Sequence, residues 1–382
     1  MMIRTRGQRM SWKLVGSSVA LLSLLVVASP VAAQSDPSAF EQILSLAEWY
    51  DNDENPVIQT MVLSGRFQAD YARVSDEALS HDEWNVRRFR FGAKWGLFSQ
   101  FTLQIEADLN PQERDPFYTR LTDAKLEWAP NDDIEFAIGK QSVAFTLDGA
   151  TSSKELLTID RSNLANNMWF TAEYMPGVSV AGESSGWRYR AGAYSAGEAN
   201  REFGEFNGAI FTLVSVGYDI SERLGVAEAD VRADYVHQSE DPQNSFTRAL
   251  EHVGSLSFRL ADGQWGVRAD VTTGVGYRDQ SDLWGAQLMP HVELSEEIQL
   301  VGRFTHVTSD AANGVRLARY ENQAISGRGD RFREFYAGLN YYIYGHKLKL
   351  QSGLAFGDMQ DTAADGGSYS GTSWVTGLRI SW

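Results

Sequence analysis

The chain has 382 residues, with 34 Lys plus Arg against 50 Asp plus Glu, no cysteine, only 9 Pro and an aromatic content of 12%. The missing cysteine removes disulfides, thiolate metal sites and cysteine nucleophiles together. Beyond about residue 33 no stretch approaches the roughly 20 apolar residues of a spanning helix, which excludes a polytopic helical membrane protein.

The first 33 residues read as a signal peptide. Arg4, Arg6, Arg9 and Lys13 precede a short apolar run from Leu14 to Ala28, and small residues close it at Val31-Ala32-Ala33, which places cleavage before Gln34. A permanent N-terminal anchor is the alternative, disfavoured by the shortness of the run. Removal takes away four basic and no acidic residues, so the net charge moves from -16 to -20. Such a balance disfavours nucleic acid as a partner, and an acidic, exported chain without cysteine points to a bacterial envelope.

Residues 34 to 60 read as a short periplasmic segment, with Phe40, Ile43, Leu44 and Ala47 at helical spacing before the polar run Asp51 to Asn55. From about Met61 to Trp382 the dominant period is two. Phe89, Phe91, Ala93 and Trp95 alternate with Arg88, Arg90, Gly92 and Lys94, and Phe101, Leu103, Ile105 and Ala107 alternate with Thr102, Gln104, Glu106 and Asp108. One face of each segment therefore meets an apolar phase and the other a wet one. Sixteen such segments are expected, near 61–73, 84–97, 99–110, 118–129, 133–143, 176–183, 185–196, 207–220, 224–239, 247–262, 264–275, 282–295, 297–309, 331–344, 346–357 and 372–382.

Connections alternate between tight, as at Gly96 to Ser99, Pro130 to Asp133 and Tyr344 to His346, and extended, as at 75–83, 110–117, 144–175, 239–246, 309–330 and 357–371. Short turns on one side, long loops on the other and an even strand number are the signature of an outer-membrane barrel. A sheet can cross hydrocarbon only when closed, because every backbone N–H and C=O must find a partner within the protein. The expected fold is thus an all-β, transmembrane antiparallel β-barrel of about 16 strands over residues 61–382, enclosing a water-filled lumen. Trp84, Trp128, Trp187, Trp265, Trp284, Tyr341 and Trp382, near strand ends, fit interfacial girdles. A soluble sandwich with the same local alternation is the competing architecture, and it would make the chain a secreted or surface-bound all-β binding protein.

Alternation assigns lumen-facing charges. Arg66 on the first strand, Arg88, Arg90 and Lys94 on the second, Lys347 and Lys349 on the fifteenth and Arg379 on the sixteenth form one basic wall once the first and last strands pair. Arg188 and Arg190 on the seventh add a second basic spot, while Glu106, Asp108, Glu127, Glu135, Glu228, Asp230 and Asp234 place carboxylates elsewhere around the ring. A charged ring in a narrow wet bore biases which ions enter; mutual neutralisation across the barrel would leave a weakly selective pore.

Enzyme signals are sparse. The six histidines, His81, His237, His252, His291, His306 and His346, lack the i, i+4 helical pairing of a zinc protease, and no nucleophile elbow or phosphate-cradling loop occurs. No catalytic residue, cofactor or metal is expected. A barrel hydrolase would need a Ser and a His meeting on its outer wall, and no pair suggests itself.

The stretch Ile138 to Leu164, I-G-K-Q-S-V-A-F-T-L-D-G-A-T-S-S-K-E-L-L-T-I-D-R-S-N-L, resembles the core of the phosphate-selective porin O and P family, with weaker similarity through Asn167-Met168-Trp169-Phe170, Met175-Pro176-Gly177-Val178 and Trp187 to Tyr194. The resemblance implies a sixteen-stranded homotrimeric porin in which the loop after the fifth strand, here 144–175, folds inward as a constriction. It also implies arginine ladders and a lysine cluster along the lumen where phosphate is selected. Within that loop Asp148, Lys154, Glu155, Asp160 and Arg161 are candidates to line the narrowest point, Asp160 and Arg161 also to tie the loop to the wall. The expected function is passive diffusion of small hydrophilic solutes, possible anions such as phosphate included, across an outer membrane whose lipids surround the barrel.

Overall fold

The computed structural model describes residues 39–76, 79–169, 174–196, 202–203, 210–241, 244 and 247–382. The signal peptide expected over 1–33 lies outside the described residues. Two compact units are distinguished, 1–42 and 43–382. Helix α1, Ala39–Ser45, begins in the first, at the spacing that Phe40, Ile43 and Leu44 set.

In the second unit sixteen long strands form one antiparallel ring. In chain order they are β1 Ile58–Asp76, β2 Ser80–Leu97, β3 Phe101–Leu109, β4 Tyr118–Asn131, β5 Ile134–Ser142, β6 Tyr174–Ser184, β7 Trp187–Ser195 and β8 Ile210–Asp219. The second half comprises β9 Glu228–Gln238, β10 Leu250–Asp262, β11 Trp265–Gly276, β12 Leu283–Glu293, β13 Ile298–Ser309, β14 Arg331–Tyr344, β15 Leu348–Gln360 and β16 Tyr369–Ser381. Each pairs with its sequence neighbours, and β16 pairs with β1 from Gly371↔Asp76 to Ser381↔Arg66, which closes the barrel. Every one of the sixteen expected segments coincides with a strand, and closure excludes the sandwich.

β1 runs 19 residues and overhangs the end of β16. A short strand, Glu48–Asp51, pairs with the overhang through Glu48↔Val62 and Asp51↔Thr60, so that edge is covered by the chain's own lead-in. The outer face is apolar: Phe91, Ile105, Ile138, Val214, Leu256, Val271, Phe304, Phe335 and Phe356 are exposed, alternating with inward residues that are polar or small. Aromatic rings collect near strand ends, where Phe101, Trp128 and Phe136 stack at centroid distances of 6.4 and 5.4 Å and Trp187 meets Tyr218 at 4.6 Å.

Two expectations are corrected. The connection expected over 75–83 is short: Arg73↔Asp82 and Val74↔His81 continue the β1–β2 ladder, and Asp76 N–H bonds Leu79 O at 2.8 Å. These rungs lie beyond the apolar band, so the sequence there loses the alternation that marks a strand crossing lipid. Nor is the lumen wholly wet. Phe145, Leu164, Met168 and Trp169 from the segment 143–169 pack with inward Leu213, Val236, Val253, Leu283 and Val307 into one buried cluster. The strand ends that face this folded-in segment are apolar on both sides because they cover protein on one side and meet the outer phase on the other.

Candidate functional site

Residues 143–169, which follow β5, are tied to inward-facing side chains of eight strands. The Thr146 and Leu147 N–H groups donate to Asp234 on β9 and Asp270 on β11, each at 2.9 Å. Across the bore, Arg66 and Gln68 of β1 donate to Ser153 at 2.7 and 3.0 Å, and Lys349 and Gln351 of β15 donate to Leu156 O at 2.8 and 3.1 Å. Asn340 of β14 reaches Leu157 O at 2.8 Å, and Arg303 of β13 donates to Thr158 Oγ1 and Asp160 O at 3.0 Å each. Arg379 of β16 donates to Ile159 O at 3.0 Å, and Arg259 of β10 to Thr151 Oγ1 at 3.0 Å. Irregular backbone at this depth is tolerable because protein side chains, not lipid, satisfy its polar groups.

Within the segment, Gly149 permits a close turn: a Cβ there would lie 2.2 Å from Phe145 O and 2.7 Å from the Trp169 ring. Helix α2, Asn163–Met168, starts on Ser162, whose side chain accepts from Ala165 N. Its asparagines zip the segment to the long β13–β14 connection. Asn163 and Asn167 donate to Arg316 O, Asn166 donates to Leu317 O, and Arg316 N–H returns a bond to Asn167.

The expected basic wall is only partly a surface. Arg90 is buried between Asp108 at 2.7 Å and Glu106 at 3.9 Å, with its guanidinium 4.9 Å from the Tyr174 ring. Arg66 lies 3.5 Å from Glu106, and Arg379 pairs with fully buried Asp70. Lys349 is buried between Leu156 O and His346 Nδ1. Arg88 donates to Gln68 at 2.9 Å and borders the cavities described below. Lys94 is exposed, on the same face of β2 as Arg88 and Arg90. Lys347 is a correction: β15 starts at Leu348, and Lys347 sits exposed in the preceding turn, where the chain reverses and alternation ceases to apply. On β7, Arg188 pairs with Asp230, while Arg190 is half-buried beside a cavity of about 540 Å³.

Of the loop candidates, Asp148 is buried, accepting from Ser162 N–H at 2.8 Å, with its carbonyl accepting from Arg161 Nε at 2.8 Å. Arg161 also donates to Thr151 O and lies 4.6 Å over the Trp169 ring, so it braces the segment itself. Asp160 does reach the wall, 3.4 Å from Arg87. Burial works to raise its carboxyl pKa, but Arg87, Arg88, Arg379 and Arg319 hold it below the ordinary value. Lys154 donates to Trp382 O at 3.3 Å, and burial with Arg66 nearby pushes its ammonium down to about 8. Glu155 is exposed.

Three arginines that alternation did not nominate complete the site. Arg303 faces inward on β13, bonded to Glu334 at 2.8 and 3.0 Å. Arg87 would face outward by strict alternation, but the β1–β2 register shifts between Gln68 and Ala69, and the extra residue turns its guanidinium to Asp160. Arg319 lies on the β13–β14 connection, for which period-two reasoning has no prediction. On the long-loop side of the folded-in segment, a cavity of about 790 Å³ and a smaller one of about 170 Å³ share Arg87, Arg88 and Arg319. Arg90 and Arg120 join the larger, Arg161 and Arg303 the smaller, so each has five arginines against three carboxylates. The cavity on the short-turn side has four arginines against five carboxylates. The arrangement offers a positive field on one side of a bridged bore and a near-balanced one on the other.

The sequence profile of the family described as phosphate-selective porin O and P matches residues 62–287. No curated protein sequence matches the chain. Among solved structures, an anion-selective porin from Comamonas acidovorans is similar with a TM-score of 0.60 at 12% identity, covering 84% of this chain and 99% of that one. OmpT, an outer membrane protein of Vibrio cholerae, has a TM-score of 0.56 at 11% identity, with 85% and 97% covered. The outer membrane channel DcaP of Acinetobacter baumannii has a TM-score of 0.53 at 13% identity, with 85% and 97% covered. These likenesses share the closed barrel, and with the profile spanning more than half of the sequence, the chain belongs to the phosphate-selective porin O and P family.

Proposed function

We propose that this porin of the Gram-negative outer membrane passes small hydrophilic anions, inorganic phosphate among them, by passive diffusion and without chemical turnover. The carrying observation is the excess of arginine over carboxylate in both cavities on the long-loop side. Long loops face outside and short turns the periplasm in such barrels, so an entering solute meets Arg87, Arg88 and Arg319 first. Low-dielectric walls focus that field, which raises anion occupancy and lowers that of cations. The segment 143–169 narrows the bore, setting a size limit, and its anchoring by buried side chains keeps the limit fixed.

The reading extends to the rest of the chain. Residues 1–33 are removed on export, 34–60 stay as a short periplasmic segment, and the barrel assembles as a homotrimer among outer-membrane lipids. Anion selectivity in the Comamonas acidovorans porin supports the sign of the preference. The test is a planar bilayer under a KCl gradient. The unmodified channel gives a reversal potential of anion sign, and Arg88→Glu with Arg319→Glu moves it to cation sign. Cation preference in the unmodified channel would reject the anion reading.

A further inference from the structure

The outer face carries a second chemistry at the long-loop end of the β9–β10 pair. His237 and His252 stand directly opposite each other in the ladder. Both alternate with inward, buried neighbours, Val236 and Gln238 beside the first and Val253 beside the second, so the two imidazoles share the outer face with exposed Tyr235. Their rings lie nearly parallel, 21° apart, with centroids 4.9 Å from each other. Glu251, at an irregularity in the β10–β11 register, brings Oε1 to 3.9 Å from His252 Nε2. One donor atom from each of His237, Glu251 and His252 falls within 4.8 Å of the other two.

Two further contacts suit a ligand set. Tyr235 Oη lies 2.8 Å from His252 Nδ1. With Nδ1–H donating to the phenol oxygen, the Nε2 lone pair is left on the Glu251 side, the outer-shell arrangement that orients metal-binding imidazoles. His237 Nδ1 is buried and makes no hydrogen bond among the described residues. A Tyr–His–Glu hydrogen-bond chain alone explains His252 and Glu251 but leaves that nitrogen without a partner. Directly opposed positions hold Cβ atoms about 4.5–5.5 Å apart, close enough for two imidazoles to converge on one ion.

We infer that His237, His252 and Glu251 form a binding site for a divalent transition-metal ion of the Zn2+ and Cu2+ class on the outer rim of the barrel. Two imidazoles and one carboxylate favour such ions over Mg2+ and Ca2+, which take oxygen ligands, and three protein ligands leave a position for water. Helical spacing could not reveal the site, because its histidines are 15 residues apart and meet only across a ladder.

The experiment uses the full chain in detergent micelles, stripped with chelator and titrated with Zn2+ by calorimetry and with Cu2+ by electron paramagnetic resonance. One saturable site per chain is expected, with hyperfine coupling to two nitrogens and with binding weakened by acid, since a metal ligand must be deprotonated. His237→Ala and His252→Ala each abolish saturable binding, and with it the two-nitrogen coupling. Tyr235→Phe weakens binding about tenfold, and His306→Ala, on another strand, leaves it unchanged. Heat-modifiable gel mobility and bilayer conductance confirm that each variant is a folded channel. Absence of saturable binding in the unmodified protein, or unmodified binding in both folded histidine variants, overturns the site; neither bears on ion permeation.

Discussion

The bore holds two populations of arginine that look alike in sequence and do different things. Around the crossing segment, Arg66, Arg90, Arg303 and Arg379 are buried, paired with carboxylates or bonded to carbonyls, and spend their charge on holding backbone in place. In the vestibule on the long-loop side, Arg87, Arg88 and Arg319 line a cavity of about 790 Å³. Removing water from an ion pair costs much of what the Coulomb attraction returns, so the first population contributes fixed geometry more than field. The second, incompletely screened, contributes the field. Counting cations per wall merges the two.

The largest expected effect breaks the first population. Asp70→Asn leaves Arg379 buried beside a neutral amide and weakens the bond from Tyr320, now 2.9 Å from Asp70 Oδ2. Breaking one partner of a buried pair costs about 3–5 kcal/mol, to be read as a lower unfolding temperature in gel-shift assays. Asp270→Asn acts one step lower. It weakens charge-assisted bonds from Leu147 N–H and Ser255, each worth roughly 1.5–3 kcal/mol, and the loosened segment should appear as noisier single-channel current with a raised mean conductance. If either variant changed ion selectivity while leaving stability untouched, the division into anchoring and field-setting arginines would fail.

Arg88→Glu with Arg319→Glu probes the second population and should invert selectivity, with a stability loss below that of Asp70→Asn: Arg319 is exposed and adds little, while Arg88 gives up one buried hydrogen bond to Gln68, about 1–3 kcal/mol. An equal loss of stability would place these side chains with the anchors.

How far the sequence led follows the same division. Alternation located all sixteen strands, since lipid enforces an apolar outer face on every one of them, and it placed Arg66, Arg88, Arg90, Lys349 and Arg379 on inward-facing positions. It failed where the rule producing it is suspended. A bulge turned Arg87 inward, a turn took Lys347 out of the wall, and an apolar patch at Val236, Val253 and Val307 met the folded-in segment. Pairing was invisible altogether: whether an inward arginine meets a carboxylate depends on register between strands, which composition and period do not carry. The motif over 138–164 singled out the segment after β5, but nothing in it showed that Asn163, Asn166 and Asn167 would find partners some 150 residues away on the β13–β14 connection.

Lys154 offers the smallest and finest test, because it sits between the two populations. Its ammonium donates to a backbone oxygen, yet its pKa is pushed down to about 8 by burial and then by Arg66. The group is therefore charged below pH 8 and loses its proton as pH rises through that value, whereas an unperturbed lysine would stay charged to about 10.4. The sign is that of a depressed cation. Its contribution to anion preference is present at pH 7 and fades toward pH 9, and folding grows slightly more favourable over the interval above 8 because the unfolded chain then binds more protons. Reversal potentials measured from pH 6.5 to 9.5 should show a modest loss of anion preference centred near 8, and Lys154→Gln should flatten it. A step that survived in Lys154→Gln would assign the titration to another group and place Lys154 wholly among the anchors.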